Sequence, residues 1–226
     1  MAVKLTYYGH ACFLVEGGGS KMIIDPFLEG NPTAAVKPSE VKVDYVLVSH
    51  AHGDHWGDTE AIARANNALV IANHEISVRA ANLGLRSHGL HIGGGYNFPF
   101  GRVQLTPALH GSSFPDGSYG GNPAGFLLTL EGKNIYHACD TGLFYDMKLI
   151  GEKGIDVAIL PIGDNYTMGP EDALRAVQLI QPKVVIPIHY GTFDIIKQDP
   201  EKFKAAVEAN TSAKCVVLRP GDSLQL

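Results

Sequence analysis

The segment SHAHGDHWGD, residues 49–58, places four metal-ligand side chains within six positions: His50, His52, Asp54 and His55. It follows Val43–Val48, an almost continuous apolar run that predicts a strand covered on both faces. Imidazole and carboxylate suit Zn²⁺, Fe or Mn²⁺, and a turn that contains four such groups is hard to explain without a cation. The segment therefore predicts a dense metal site directly after a buried strand.

Three more candidate ligands each close an apolar run. His110 ends VQLTPALH, Asp140 ends NIYHACD and His189 ends VVIPIH. In α/β folds, sites are assembled where strand ends meet at one edge of a sheet, because the loops there converge while the strands hold them rigid. We therefore expect these three side chains to lie beside the first four.

The number of candidate ligands bears on the number of metals. Seven are too many for one tetrahedral ion and suit two divalent metal ions that share a carboxylate, each with an open position for water. His50 and His52 share one side of a strand end, whereas Asp54 and His55 lie past Gly53 and can face a second ion. Zinc is the default for a histidine-rich hydrolytic site, and manganese and iron are the alternatives.

The order of strands and helices predicts one α/β domain over residues 1–226. Helices are predicted at Thr59–Asn66, Glu75–Leu83, Pro170–Ile180 and Pro200–Ala209. Strands are predicted at Lys4–Tyr8, Cys12–Glu16, Lys21–Ile24, Val43–His50, Val70–Ala72, Val103–Leu109, Gly125–Glu131, Lys133–His137, Val157–Pro161, Val184–Ile188 and Cys215–Arg219. Strands in both halves with helices among them predict two packed sheets with helices outside, an α/β sandwich.

Composition narrows the class of partner. The 18 Lys and Arg against 23 Asp and Glu give a net charge of −5, which lacks the broad positive field of non-specific nucleic-acid or anionic-membrane binding. No run reaches the roughly 18 apolar residues of a membrane helix. Three widely separated cysteines suit reduced thiols in a cytoplasm. We expect a cytoplasmic protein that acts on a small-molecule substrate and does not bind a membrane; the composition disfavours a nucleic-acid partner, and homo-oligomer formation stays open.

Five further segments complete a pattern with the seven candidate ligands: GHACFLVE, IDPFLEGNP, YHACDTGLF, PIGDNYTMGPEDA and PIHYGTFDI. Over nearly the whole chain this pattern resembles the metallo-β-lactamase superfamily. More narrowly, it is similar to a branch of predicted metal-dependent hydrolases related to the ascorbate-6-phosphate lactonases. The resemblance implies a four-layer αββα sandwich and a dinuclear metal site.

The resemblance also implies a division of the ligands. Metal 1 takes His50, His52 and His110, metal 2 takes Asp54, His55 and His189, and Asp140 bridges the two. A hydroxide held between the ions then attacks the substrate, while Asp54 orients it and passes a proton to the leaving group. One departure is Cys139, where the branch more often has glycine. A thiol there would narrow the space behind the bridge or add a soft ligand.

His10 and Asp25 each have two interpretations, and His137 has a structural one. His10 is either a hydrogen-bonded structural histidine or a catalytic group at the pocket rim that polarises the substrate or donates to the leaving group. With Asp54, it is our predicted catalytic pair. Asp25 either orients a ligand or simply forms a turn. His137 is predicted to be structural, since strand alternation puts it on the face opposite Asp140.

The remaining histidines and several loop aromatics are not predicted to bind a metal. Three histidines are predicted to lie in helical or loop segments outside the strand-end pattern and are not needed as ligands: His74, His88 and His91. Aromatic residues in or beside the site loops, some of which we expect to wall the substrate pocket, are Trp56, Phe114, Tyr166, Tyr190 and Phe193.

The leading prediction is a dinuclear metallohydrolase that acts on a lactone, thioester or phosphodiester bond. Residues 110–125, 163–170 and 189–194 contain no Lys or Arg, so a strongly anionic substrate would depend on metals, histidines and backbone N–H groups. A nuclease of the same fold is one alternative, which the negative net charge disfavours. A redox or gas-handling di-iron protein and a metal-binding scaffold without turnover are the others.

Overall fold

Two mixed β-sheets dominate the computed structural model, which describes residues 2–226. The strands of the first sheet are β1 (Lys4–Gly9), β2 (Cys12–Gly17), β3 (Ser20–Ile24), β4 (Tyr45–Val48), β5 (Leu69–Asn73), β6 (Ser87–Leu90) and β14 (Ser223–Gln225). Those of the second are β7 (Gly95–Phe98), β8 (Gly101–Pro107), β9 (Ala124–Leu130), β10 (Lys133–His137), β11 (Val157–Pro161), β12 (Val184–Ile188) and β13 (Lys214–Cys215).

The two sheets have the same plan. Their strand orders are β14-β1-β2-β3-β4-β5-β6 and β13-β12-β11-β10-β9-β8-β7. In each sheet, the strands of one part pair antiparallel. The strands of the other part, β3 to β6 and β10 to β13, pair in parallel. Parallel strands are covered on both faces, which accounts for the apolar runs of β4, β11 and β12.

Helices cover the outer face of each sheet. They are α1 (Gly53–Trp56), α2 (Thr59–Asn66), α3 (His74–Asn82), α4 (Met147–Gly151), α5 (Pro170–Ile180) and α6 (Pro200–Asn210). Three buried apolar clusters separate the layers: one between the sheets, one under α2 and α3, and one under α4, α5 and α6. The predicted α/β sandwich is confirmed, and its four layers run α, β, β, α.

Helix α5 illustrates how local sequence places an element in these layers. Pro170 occupies its first turn, where the missing N–H costs nothing, and Glu171 and Asp172 lie at the positive end of the helix dipole. Its buried positions, Ala173, Ala176, Val177 and Ile180, recur at helical spacing. The apolar side of α5 therefore packs on the second sheet. Among residues 2–226, no helix combines the length and apolar character that crossing a bilayer requires.

Several predicted boundaries were wrong. The predicted strand Val43–His50 is only Tyr45–Val48, because the backbone N–H of Ser49 leaves the sheet and donates to the Asp25 carboxylate. In place of the predicted strand Cys215–Arg219 there is a two-residue strand, Lys214–Cys215. Sequence analysis missed five short elements: β6, β7, β14, α1 and α4. His88 lies in β6 rather than in a helix or loop.

Backbone hydrogen bonds join the sheets at the edge that holds the site. The N–H of Ala124, at the start of β9, donates to Ser49 O at 3.1 Å, and the N–H of His189 donates to His10 O at 2.9 Å. Each bond connects a loop of the first sheet to a strand end of the second. The loops that carry the candidate ligands are therefore held against one another.

The β2–β3 turn lies at the end of the sheets opposite the site, and its two glycines test how closely that end is packed. Gly18 and Gly19 both have positive φ, +59° and +74°, but a Cβ on Gly18 would lie 2.1 Å from Phe100 O, whereas nothing lies within 4 Å of one on Gly19. We expect Gly19→Ala to cost about 1–2 kcal/mol, the conformational penalty alone, and Gly18→Ala to cost clearly more. Equal losses of unfolding free energy in denaturant titrations would contradict this packing.

Candidate metal centre

All seven predicted ligands, and His10, lie together where the sheets are joined. His50 and His52 follow β4, and the single turn of α1 carries Asp54 and His55. The other three lie at or beyond strand ends of the second sheet: His189 directly after β12, and His110 and Asp140 three residues after β8 and β10. The first sheet thus supplies four of the ligands in one short segment, and the second supplies three from separate loops.

The first group of ligand atoms belongs to His50, His52 and His110, whose ligand nitrogens all lie within 4.8 Å of one another. His50 Nε2 lies 3.0 Å from His52 Nδ1. Burial holds the pKa of His50 well below its usual range, and the neighbouring His55 lowers it further. Burial also lowers the pKa of His110. Neutral imidazoles with free lone pairs are the form that a cation requires.

The second group consists of His10, Asp54, His55 and His189, again with ligand atoms within 4.8 Å. Nε2 of His55 and Nε2 of His189 each lie 3.9 Å from Asp54 Oδ2. Although burial raises it, the hydrogen bond from His10 and the charge of His55 hold the pKa of Asp54 below its usual range. Asp54 is therefore a carboxylate at neutral pH.

Asp140 lies between the two groups. Its Oδ2 is 3.0 Å from His189 Nε2, 3.3 Å from His55 Nε2 and 3.5 Å from His110 Nε2. Burial alone would raise the pKa of Asp140, but His189 and His55 hold it well below its usual range. One buried carboxylate thus faces imidazoles of both groups, the geometry expected of a shared ligand.

Several of these buried atoms have no hydrogen-bond partner within residues 2–226: His55 Nε2, Asp140 Oδ1 and both ring nitrogens of His189. His189 Nε2 and Asp140 Oδ2 are close, yet their angle is not that of a hydrogen bond. An unsatisfied buried polar group costs about 1–3 kcal/mol. A cation among these atoms would satisfy them together, so the donor set fits a metal.

Asp25 supports His55 from behind. Its carboxylate accepts the Ser49 N–H at 2.8 Å, the Ser49 hydroxyl at 2.6 Å and His55 Nδ1 at 2.8 Å. Although burial lowers it, Asp140 and Asp25 raise the pKa of His55 well above its usual range. Asp25 also lies within reach of His50 and His55 as a third ligand group. Because its oxygens already accept three hydrogen bonds, we interpret it as the group that orients His55 Nε2.

His10 does not lie at a pocket rim, since none of its surface is exposed. Its Nε2 lies 3.2 Å from Asp54 Oδ2, and its Nδ1 lies 2.9 Å from Thr192 Oγ1. Burial, and then His189, lowers the pKa of His10 to about 4. His10 therefore contacts Asp54 from within the protein and does not face solvent at a rim, as one of the two interpretations required. Sequence analysis missed Thr192, which has no motif signal beyond its place three residues after His189.

Cys139 has a left-handed backbone, φ +54°, which explains why a glycine suits this position. Its Sγ is buried and lies 3.1 Å from His137 Nδ1. No ligand group within the described part of the chain includes this thiol. His137 Nε2 donates to Ala11 O at 3.0 Å and His137 Nδ1 accepts the Cys139 N–H, which agrees with a structural histidine.

The other histidines and the aromatic side chains make ring contacts or pack against the core. His74 stacks on His91, and His88 packs on Tyr96. None of these three histidines joins a ligand group within residues 2–226. Phe193 lies 5.7 Å from the His10 ring and Trp56 packs on Phe114. Tyr190 instead packs against the core under α4 to α6.

Several known proteins resemble this chain in sequence and fold. The sequence profile of the Beta-lactamase superfamily domain matches residues 4–189. A UPF0173 metal-dependent hydrolase of Pelotomaculum thermopropionicum is 55% identical over 229 residues, 99% of this chain and 100% of that protein. Igni18, a metallo hydrolase from the archaeon Ignicoccus hospitalis, superposes with a TM-score of 0.92 at 41% identity over 100% of this chain and 99% of its own.

A more distant structure defines the fold alone. The metallo-beta-lactamase fold protein YhfI from Bacillus subtilis superposes with a TM-score of 0.78 at 12% identity, and each chain is covered over 100% of its length. The αββα arrangement of sheets and helices is therefore the metallo-β-lactamase fold.

The role of Asp25 can be tested by Asp25→Asn. The neutral amide no longer holds His55 Nδ1–H as a charged acceptor, so we expect metal affinity to fall about 10–100-fold, measured by competition with a chromogenic chelator. Asp58→Asn is the matched control, because Asp58 accepts only the backbone N–H groups of Leu28 and Glu29 at 2.9 Å each. Equal affinities of the two variants would contradict the role of Asp25.

Proposed function

This chain belongs to the β-lactamase superfamily and is a metal-dependent hydrolase, and we propose that it cleaves a small ester-type bond with two divalent metal ions. The proposal rests on one observation: the buried carboxylate of Asp140 lies within 3.5 Å of imidazole nitrogens from both ligand groups. A single ion could not use all seven donors.

The two groups suggest how the ions divide the ligands. His50, His52 and His110 would hold the first ion, Asp54, His55 and His189 the second, and Asp140 both. Zinc is the expected metal, because five of the seven donors are imidazoles, and imidazole suits zinc better than it suits harder ions. Manganese and iron are the alternatives, since two carboxylates are present.

Bound in this way, two cations would lower the pKa of a water and stabilise the negative charge that develops on a carbonyl or phosphoryl oxygen. The residues of the chain divide the remaining work. The Asp54 side chain is 31% exposed, against 3% for Asp140, so Asp54 is the carboxylate that a substrate reaches. Asp54 would orient the attacking water and transfer its proton toward the leaving group.

The loops around the site favour a substrate of low charge. Residues 110–125, 163–170 and 189–194 contain no Lys or Arg, although the chain has 18 of them. Arg79 reaches the first of these loops, but its guanidinium pairs with Asp116 at 3.0 Å and stacks over Phe114. We therefore favour lactones and thioesters over phosphodiesters, and the net charge of −5 argues against a nuclease.

The test joins metal analysis with a substrate panel. We expect two metal ions per chain by elemental analysis, and metal-dependent hydrolysis of a lactone or thioester probe. Asp54→Asn should lower kcat by about 10²–10⁴-fold, because the amide cannot take up a proton. Asp116→Asn is the control, since this exposed loop carboxylate pairs with Arg79 and Ser118.

Three outcomes would contradict the proposal. One tightly bound metal per chain would exclude a dinuclear site. Unchanged hydrolysis by Asp54→Asn would remove its assigned role. An enzyme that cleaves RNA but no lactone, thioester or β-lactam probe would be a nuclease of this fold instead.

A further inference from the structure

His10 lies between two side-chain oxygens in a rigid setting. Its Nε2 is 3.2 Å from Asp54 Oδ2 and its Nδ1 is 2.9 Å from Thr192 Oγ1. The rings of Phe27 and Phe193 meet the imidazole edge-on at 5.6 and 5.7 Å. Within residues 2–226, the ring makes no other side-chain hydrogen bond, and none of its surface is exposed.

The backbone of His10 is held just as firmly. Its carbonyl oxygen accepts the Tyr7 hydroxyl at 3.1 Å and the His189 N–H at 2.9 Å. Thr192 belongs to the same loop as His189, and Gly191 between them turns the chain with φ +69°. This loop therefore bonds His10 at two places, the backbone carbonyl and the ring. The contact between the two sheets thus fixes the position of Nδ1 relative to Thr192.

These distances select one tautomer. A neutral imidazole donates from one nitrogen and accepts at the other, and a carboxylate only accepts. Nε2 must therefore carry the proton, because the opposite tautomer would point a lone pair at the Asp54 oxygen. Nδ1 is then an acceptor, and the hydroxyl of Thr192 is placed to donate to it.

We propose that Thr192 is a positioning residue: its hydroxyl donates to His10 Nδ1 and, together with Asp54 at Nε2, holds His10 in the Nε2–H tautomer, so that His10 bonds Asp54 and does not bind a metal. Proximity alone would allow the opposite, since His10 belongs to one of the ligand groups. A protonated nitrogen, however, has no lone pair for a cation. The proposal rests on the proposed function only where it treats Asp54 as the carboxylate that meets the substrate.

The consequence concerns the geometry of Asp54. Its side chain lies on the partly exposed side of the site, and the bond from His10 restrains the carboxylate from within the protein. Partners that hold a ligand in this way typically change metal affinity or activity by about 10–100-fold when removed. Thr192 would act through His10 and need not touch a substrate.

The test uses the full-length protein loaded with zinc, and the variants Thr192→Val and Thr192→Ser. Valine keeps the shape of threonine without the hydroxyl, whereas serine keeps the hydroxyl. Ring ¹⁵N NMR, with His10 assigned from the signal missing in His10→Gln, should show Nε2 protonated and Nδ1 unprotonated in the wild type. Thr192→Val should shift the Nδ1 signal, because the hydroxyl that donates to this nitrogen is gone, whereas Thr192→Ser should keep the wild-type position.

Two further readouts separate a positioning role from a general structural one. In protein loaded with ¹¹³Cd, His55 and His189 should show ¹⁵N–¹¹³Cd coupling and His10 should show none. With a hydrolysed probe, Thr192→Val should lower kcat about tenfold with little change in KM, and Thr192→Ser should restore most of it.

Coupling of His10 to cadmium, an Nδ1–H or doubly protonated ring in the wild type, or an unchanged His10 spectrum in Thr192→Val would overturn the proposal. The wild-type measurement does not need Thr192→Val, so it tests the tautomer even if that variant does not fold. The NMR readouts need no substrate. Failure to find hydrolysis would therefore count against the proposed function and leave the tautomer result standing.

Discussion

A buried carboxylate that faces imidazoles from both sheets is the contact on which this site depends. Asp140 lies in the loop after β10, yet it meets His55 from α1 of the first sheet and His189 from the end of β12. Isolating such a charge from water costs several kcal/mol unless partners of opposite charge surround it. The contact is therefore stable only if the loops of the two sheets stay together, which the cross-sheet backbone bonds at Ser49 and His10 ensure.

Uncommon backbone conformations mark the same region. His10, Asp25, Cys139 and His189 all have φ between +45° and +57°, a region that non-glycine residues seldom occupy. Each lies at or near the end of a strand, where the chain must turn sharply for a side chain to face across the edge of the sheet. Local strain of this kind persists where surrounding hydrogen bonds hold it and is frequent at functional sites. Here the Asp25 carboxylate is held by Ser49 and His55, and His10 is held by Tyr7, Asp54, His189 and Thr192.

Much of the site could be predicted because its ligands are concentrated in the sequence. His50, His52, Asp54 and His55 occupy six positions, and the apolar strands before His110, Asp140 and His189 are visible as runs. The layered fold was predictable for a similar reason, since β11 and β12 are clear apolar runs, α5 has a strong helical periodicity, and the bounds of all three match the prediction. Short elements such as β6 and α1 were missed because four residues carry too little periodicity to identify.

The sequence by itself determined the chemistry available to this protein: which donors exist, that four lie in one turn, and that the loops around them lack cationic side chains. Only the tertiary structure decided which donors face each other, that Asp140 stands between two groups of imidazoles, and that His10 lies buried beneath Asp54 against Thr192. The reason is that ligand identity is a local property of the chain. The distances from Asp140, His10 and Thr192 to their partners depend instead on how the two sheets pack, which no local sequence pattern predicts.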